Sequence, residues 1–240
     1  MGLMNVFNIM KKEGYVVKDL DTYLLSLNKE ENDRAIDINA PSSAGGSLRA
    51  SYYARKQYER DNNAIYPRTR RIFNNGDGVH ARLQGYLEDM GMLLMPEVPL
   101  RNNQYNIQGH TDGFLKISNN EVAILEIKSI NDRGFALLKD AREDHKDQAF
   151  VYSFCAEERR KELQSLYPTQ LDYDNSLNER VAKYKSYFTH LKSGNKYTKE
   201  EKLAKKVQDH IKADDILYTT LMPVNKVIFI YENKNTQEIK

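Results

Sequence analysis

Apolar and polar positions divide this chain into strand-like and helix-like stretches. Residues 122–128, Val-Ala-Ile-Leu-Glu-Ile-Lys, are nearly all apolar, the pattern of a strand covered on both faces. Residues 104–117 read as a second strand or hairpin arm. Residues 225–231 read as another strand, and Asn233-Lys234-Asn235 can turn it into a hairpin ending at Ile239. Helical spacing runs through Leu83, Tyr86, Leu87 and Met90 in a helix opened by Gly76-Asp77-Gly78-Val79-His80, and a further helix is predicted from about 143 to 164. Residues 3–30 read as short helices, 39–46 as a Pro-, Ser- and Gly-containing loop, and about 48–61 as a basic helix. The main sheet is expected from about 93 to 129. Residues 165–222 are polar and rich in Lys and Tyr, with helical runs at 176–191 and 198–212, and read as an insertion.

This order predicts an α/β fold, a small mixed β-sheet flanked by helices with a helical insertion. With 240 residues, 40% of them hydrophobic, the chain can bury a full core in one domain. Its parts are N-terminal helices and loop (1–47), a core (48–164), the insertion (165–222) and a C-terminal strand or hairpin (223–240).

Two charges interrupt the apolar run at 122–128. Side chains alternate along a strand, so Glu126 and Lys128 share one face while Leu125 and Ile127 point to the other. Charges in a sheet covered on both faces are costly unless they are paired or bind an ion. On the preceding arm, Asp112 lies in Gly109-His110-Thr111-Asp112-Gly113, where glycine lets the backbone bend and a ligand come close. If the two strands are neighbours, Asp112 and Glu126 converge and repel. A divalent cation relieves that repulsion, and oxygen donors favour magnesium or manganese over zinc. Two carboxylates and the Lys128 amine at this spacing suit metal-dependent cleavage of a phosphodiester. The plainer alternative is a surface hairpin in which Asp112 makes a turn and Glu126 pairs with Lys128, although exposed pairs seldom sit in so apolar a run.

A helix over residues 144–152 places His145, Gln148 and Tyr152 on one face at i, i+3 and i+7, a row of hydrogen-bonding groups suited to phosphate contacts. The competing reading makes Tyr152 core and Gln148 its solvated neighbour. His80 borders an apolar stripe, where a histidine is more often a hydrogen-bonded, partly buried side chain than a ligand. From Arg49 to Arg71 there are seven basic residues (Arg49, Arg55, Lys56, Arg60, Arg68, Arg70, Arg71) against Glu59 and Asp61, with Tyr52, Tyr53, Tyr58 and Tyr66 interleaved. Cations for phosphates and aromatic faces for unpaired bases are what single-stranded DNA binding requires. A solvated amphipathic helix is the alternative.

The formal net charge of +2 makes binding depend on such local patches. No segment has the apolar length of a membrane span, and the first ten residues lack the features of a signal peptide. The one cysteine, Cys155, argues against a disulfide framework, so a cytoplasmic location, in a prokaryotic or phage-infected cell, is expected.

Taken in order, His80, Gly109-His-Thr-Asp112, Glu126-Ile-Lys128 and Gln148-x-x-x-Tyr152 resemble the RecB-type branch of the PD-(D/E)xK nuclease superfamily. The match covers about residues 42–155 together with the strand near 226–231. It implies a restriction-endonuclease-like core in which His80, Asp112, Glu126 and the Ile127 carbonyl hold magnesium or manganese. Asp112, Glu126, Lys128, Gln148 and Tyr152 would be catalytic. Arg49, Tyr53, Arg55, Arg60, Arg70 and Arg71 would bind DNA that is single-stranded or has a free end. An exonuclease of recombination, repair or phage DNA processing is the first expectation. A structure-selective endonuclease for junctions or flaps is the second, and a non-catalytic DNA-binding module the third. Ser47-Leu-Arg49-Ala-Ser-Tyr52-Tyr53 also resembles the Cys-x-Arg-x-x-Tyr-Tyr segment of CRISPR-adaptation and recombination nucleases that carry an iron–sulphur cluster. Ser47 stands at the cysteine position, and Cys155 alone cannot supply four thiolates, so no cluster is expected.

Overall fold

The computed structural model describes residues 15–27, 38–56, 65–188 and 198–240. In chain order its elements are α1 (Tyr15–Ser26), α2 (Leu48–Arg55), α3 (Pro67–Asp89), β1 (Leu93–Asn102), β2 (Ile107–Ser118), β3 (Glu121–Ile130), α4 (Asp132–Leu137), α5 (Glu143–Leu166), α6 (Gln170–Phe188), α7 (Lys199–Thr219) and β4 (Val227–Asn233). The sheet runs β1-β2-β3-β4. β1 pairs antiparallel with β2 and β2 with β3, whereas β3 and β4 are parallel from Ile124 opposite Val227 to Ile130 opposite Asn233. It is therefore a mixed four-stranded sheet flanked by helices.

β3 lies inside the sheet and carries the most apolar strand sequence, as the continuous run requires. Leu125 and Ile127 pack with Leu115 against Val79 and Leu83 of α3. On the other side Ile124, Phe114, Val98 and Leu100 pack with Tyr152, Cys155 and Ala156 of α5 and with Ala213 and Leu217 of α7. Alternation along β3 thus sends Leu125 and Ile127 to α3, and Lys128 the other way, to α5.

Three expectations change. The helix bearing His80 starts at Pro67, well before Gly76. Proline at the first turn fixes φ without losing a hydrogen bond. Gly76 and Gly78 each weaken the helix interior by about 1 kcal/mol, which burial of Val79 and Leu83 offsets. The second change is in the stretch 165–222, where α7 forms part of the core and is more than a polar appendage. Its few apolar side chains reach β1, and Tyr218 stacks on Tyr173 of α6 at 3.9 Å between ring centres. Dilution by lysine hides that stripe in the sequence. Thirdly, α2 ends at Arg55, and residues 57–64, including Arg60, lie outside the described residues.

The predicted C-terminal hairpin forms. Tyr231 and Lys240 exchange backbone hydrogen bonds of 2.9 Å each, and the Lys240 ammonium donates to the Phe135 carbonyl at 2.8 Å. Among the described residues no helix is long and apolar enough to cross a membrane.

Candidate metal centre

β2 and β3 pair with Gly113 opposite Leu125, and continuing that register sets Asp112 beside Glu126. The Ile127 N–H donates to Asp112 Oδ2 at 2.5 Å, which fixes one carboxylate oxygen and leaves the other for a neighbour. That neighbour is His80 of α3, whose Nδ1 lies 3.2 Å from Asp112 Oδ1. A third group arrives from β1. Pro96 pairs with Gly113 and Val98 with Thr111, so Glu97 faces Asp112. His80, Glu97 and Asp112 each offer a ligand atom, and the three atoms lie within 4.8 Å of one another. Gln84 ties the group together, its amide donating to Glu97 Oε1 at 2.9 Å and to the Asp112 carbonyl at 2.8 Å.

Glu97 has a left-handed backbone, φ 47°. For a residue with a Cβ that conformation costs about 1–2 kcal/mol, and such costs cluster where a side chain must be aimed. Two carboxylates and an imidazole converge here from three separate elements.

Glu126 stands beside this trio and is 1% exposed. Its Oε2 accepts from Lys128 at 2.7 Å, and its Oε1 from the Thr111 hydroxyl at 3.2 Å. Burial, reinforced by the negative charge of Asp112, raises its pKa against the pull of Lys128. The hydrogen bond to Asp112 raises that of His80 despite burial. Both shifts report a crowded negative site, which a cation would relieve. Lys128 also donates to Gln148 Oε1 at 3.2 Å, and the Gln148 amide lies 3.5 Å from the Tyr152 hydroxyl. Burial drives the Tyr152 pKa well above its ordinary value, so its hydroxyl stays neutral.

A short turn, Pro41–Ser43, closes the Tyr152 end of this row. A Cβ on Gly109 would meet Pro41 Cδ at 2.8 Å and Tyr152 Cε1 at 3.1 Å, so only glycine admits that packing. Nothing matches by comparison. No protein-family model, no curated protein and no solved structure aligns with this chain.

The structure brings together His80, Asp112, Glu126, Ile127, Lys128, Gln148 and Tyr152. Sequence reasoning missed Glu97 and Gln84. Glu97 carried a readable signal, a lone acid inside the apolar stretch of β1 between Pro96 and Pro99, the same anomaly that marked Glu126. Gln84, one polar residue among many on α3, carried none.

The basic segment fares unevenly. On α2 the Arg49 guanidinium lies 5.5 Å from the Tyr53 ring centre, and Arg55 donates to Asn39 Oδ1 at 3.2 Å. Arg70 is buried, which closes it to a phosphate, whereas Arg71 is exposed and ion-paired with Asp21 of α1.

Proposed function

We propose that this chain is a magnesium- or manganese-dependent deoxyribonuclease with a restriction-endonuclease-like core, acting as an exonuclease on DNA ends or single strands. The observation that carries the reading is the convergence of His80, Glu97 and Asp112 beside a lysine already held by a buried glutamate. The donor chemistry fits, since two carboxylates, with one imidazole, suit a hard divalent ion that keeps open positions. His80, Glu97 and Asp112 would hold it, with Glu126 and the Ile127 carbonyl adjacent. Bound there, the ion supplies Lewis acidity toward a phosphoryl oxygen and makes nearby water more acidic.

The chain's own groups do the rest. Glu126 and Gln148 hold the Lys128 ammonium in place as a compact positive charge, which steadies the charge building on phosphorus as water attacks. As the water's oxygen bonds to phosphorus it releases a proton to solvent, the bond from phosphorus to the departing sugar oxygen breaks, and that oxygen takes a proton from solvent. Gln148 lines the strand's position with the buried Tyr152 hydroxyl behind it, while Arg49 and Tyr53 on α2 supply charge and an aromatic face. No covalent intermediate is required.

The test is cleavage of linear, circular, single-stranded and branched DNA labelled at either end, with magnesium, manganese or chelator. Metal-dependent release of nucleotides from linear or single-stranded DNA, with circles spared, supports the reading. Cuts within circles or at branches select the endonuclease alternative. Absence of cleavage with every DNA and metal removes the nuclease assignment.

A further inference from the structure

One group on the α5 face has no part in the mechanism above. His145, Gln148 and Tyr152 lie in a row at i, i+3 and i+7, and Gln148, in the middle, touches Lys128. The Tyr152 end of the row is sealed by Pro41, with Tyr152 only 3% exposed. The His145 end is less covered, its side chain 17% exposed and that of Lys128 19% exposed. Of the two ends of the row, only the His145 end leaves room for a strand whose scissile phosphate sits at Lys128.

The ring of His145 is set for that position. It stacks on Tyr231 of β4, the residue paired with Lys128 across the sheet, with ring centres 5.6 Å apart and planes at 27°. Its Nδ1 lies 2.7 Å from the Tyr231 hydroxyl oxygen, which already accepts the Arg142 N–H at 3.1 Å. The buried tyrosine must place its own proton, and His145 Nδ1 is the acceptor at hand. Such a chain, from the Arg142 N–H through the Tyr231 O–H to Nδ1, fixes the tautomer with the proton on Nε2. That Nε2 lies 4.0 Å from Asp144 Oδ2, beyond hydrogen-bonding distance, and the Asp144 carboxylate is gripped by Arg142 through bonds of 3.1 and 3.0 Å. Burial, with the positive charge of Lys128 nearby, lowers the pKa of His145 and keeps the ring neutral near pH 7.

Building on the nuclease reading, we infer that His145 is a phosphate-positioning residue whose Nε2–H donates to a non-bridging oxygen of the phosphate adjacent to the scissile one. Gln148 and Lys128 grip the reacting nucleotide, and His145 fixes its neighbour, so the substrate is a strand that continues past the cut. A neutral donor suits this place, because it holds the backbone in register without the counterion traffic of a second cation.

The test replaces single phosphates of an oligonucleotide by neutral methylphosphonates. In the wild type, replacement of the flanking phosphate should lower kcat/KM about tenfold or more, the loss of one hydrogen bond to a charged group. His145→Ala should show a similar loss on the natural strand and no further loss on the replaced one. His145→Gln, whose amide N–H reaches a similar place, should recover most of the activity. Equal additional losses in wild type and His145→Ala at every position, or a Gln variant as impaired as the Ala variant, would overturn the inference. The nitrogen NMR shifts of the ring separate this outcome from failure of the nuclease reading, since they need no turnover. Metal-free protein should show the Nε2–H tautomer, with the Nε2 resonance moving when single-stranded oligonucleotide is added. An Nδ1–H tautomer, or an unmoved Nε2 signal at saturating oligonucleotide, overturns it.

Discussion

Replacing Glu97 separates two roles that the structure gives one residue, because its backbone is left-handed and its carboxylate faces Asp112 and His80. Glu97→Ala removes the carboxylate and keeps the unfavourable backbone, whereas Glu97→Gly removes both. The left-handed region costs a residue with a Cβ about 1–2 kcal/mol, so the metal-free Gly variant should be the more stable of the two by about 1 kcal/mol. In a chain of this size that is about 2–4 °C in Tm. Both variants lose the acceptor for the Gln84 amide, a cost of about 0.5–1 kcal/mol that cancels between them. Metal changes the comparison. At ~100 times its dissociation constant an ion adds about 2.7 kcal/mol to folding, and an affinity lowered at least tenfold forfeits about 1.4 kcal/mol or more of it. The assay is thermal melting with chelator and with a manganese titration, at a pH high enough to deprotonate His80 despite its raised pKa. Wild type should gain stability with manganese, and both variants should gain far less. Retention of the full manganese-dependent rise in both variants would refute the assignment of Glu97. A Gly variant no more stable than the Ala variant in chelator would refute the strain argument.

Three further outcomes are expected. Lys128→Ala should lower turnover by orders of magnitude while DNA affinity changes little, as measured by single-turnover cleavage beside binding; equal losses would make Lys128 an ordinary phosphate contact. Replacing Arg49 should weaken binding to all DNA sequences alike and flatten the salt dependence of log K by about one unit; an unchanged slope returns α2 to a solvated face. Burial opposes ionisation of Asp214, but bonds of 2.8 and 2.9 Å from Arg159 and Arg180 outweigh it and hold its pKa below the ordinary value. A lowered carboxylate pKa contributes stability above the ordinary carboxylate range and loses it as pH falls through the folded value, so denaturant titrations from pH 7 to 3 should show a shallower acid-side decline for Asp214→Asn than for wild type.

The strands at β2, β3 and β4 were legible because apolar continuity and glycine punctuation act locally. The pairing of Glu126 and Lys128 on one face followed from alternation alone. The site was legible only where charge broke an apolar run. Asp112, Glu126 and Lys128 declared themselves in that way, and Glu97 could have done so. What brings His80 to Asp112 is the docking of Val79 and Leu83 of α3 onto the sheet, a long-range packing event with no local signature. The same holds for Arg70 and Arg71, which the sequence presents as two more cations of a basic segment. Burial of the first and pairing of the second with Asp21 become visible only once α1 lies against α3. The start of α3 was misplaced because Gly76 and Gly78 look like a boundary, and the burial that overrides them is tertiary.

The parallel pairing of β4 with β3 has a consequence for the order of assembly. α3, β1 and β2, which carry His80, Glu97 and Asp112, are consecutive, and their contacts close over short stretches of chain. β4 pairs with β3 only after residues 131–226 have been made. Non-local closure is slow, whereas a meander of consecutive strands forms early. On the ribosome, His80, Glu97 and Asp112 would therefore gather while the strand that pairs beside Lys128 is still unsynthesised. The order of assembly puts the cluster of His80, Glu97 and Asp112 first and the pairing of Tyr231 with Lys128 last, so negative charge gathers before the sheet is complete.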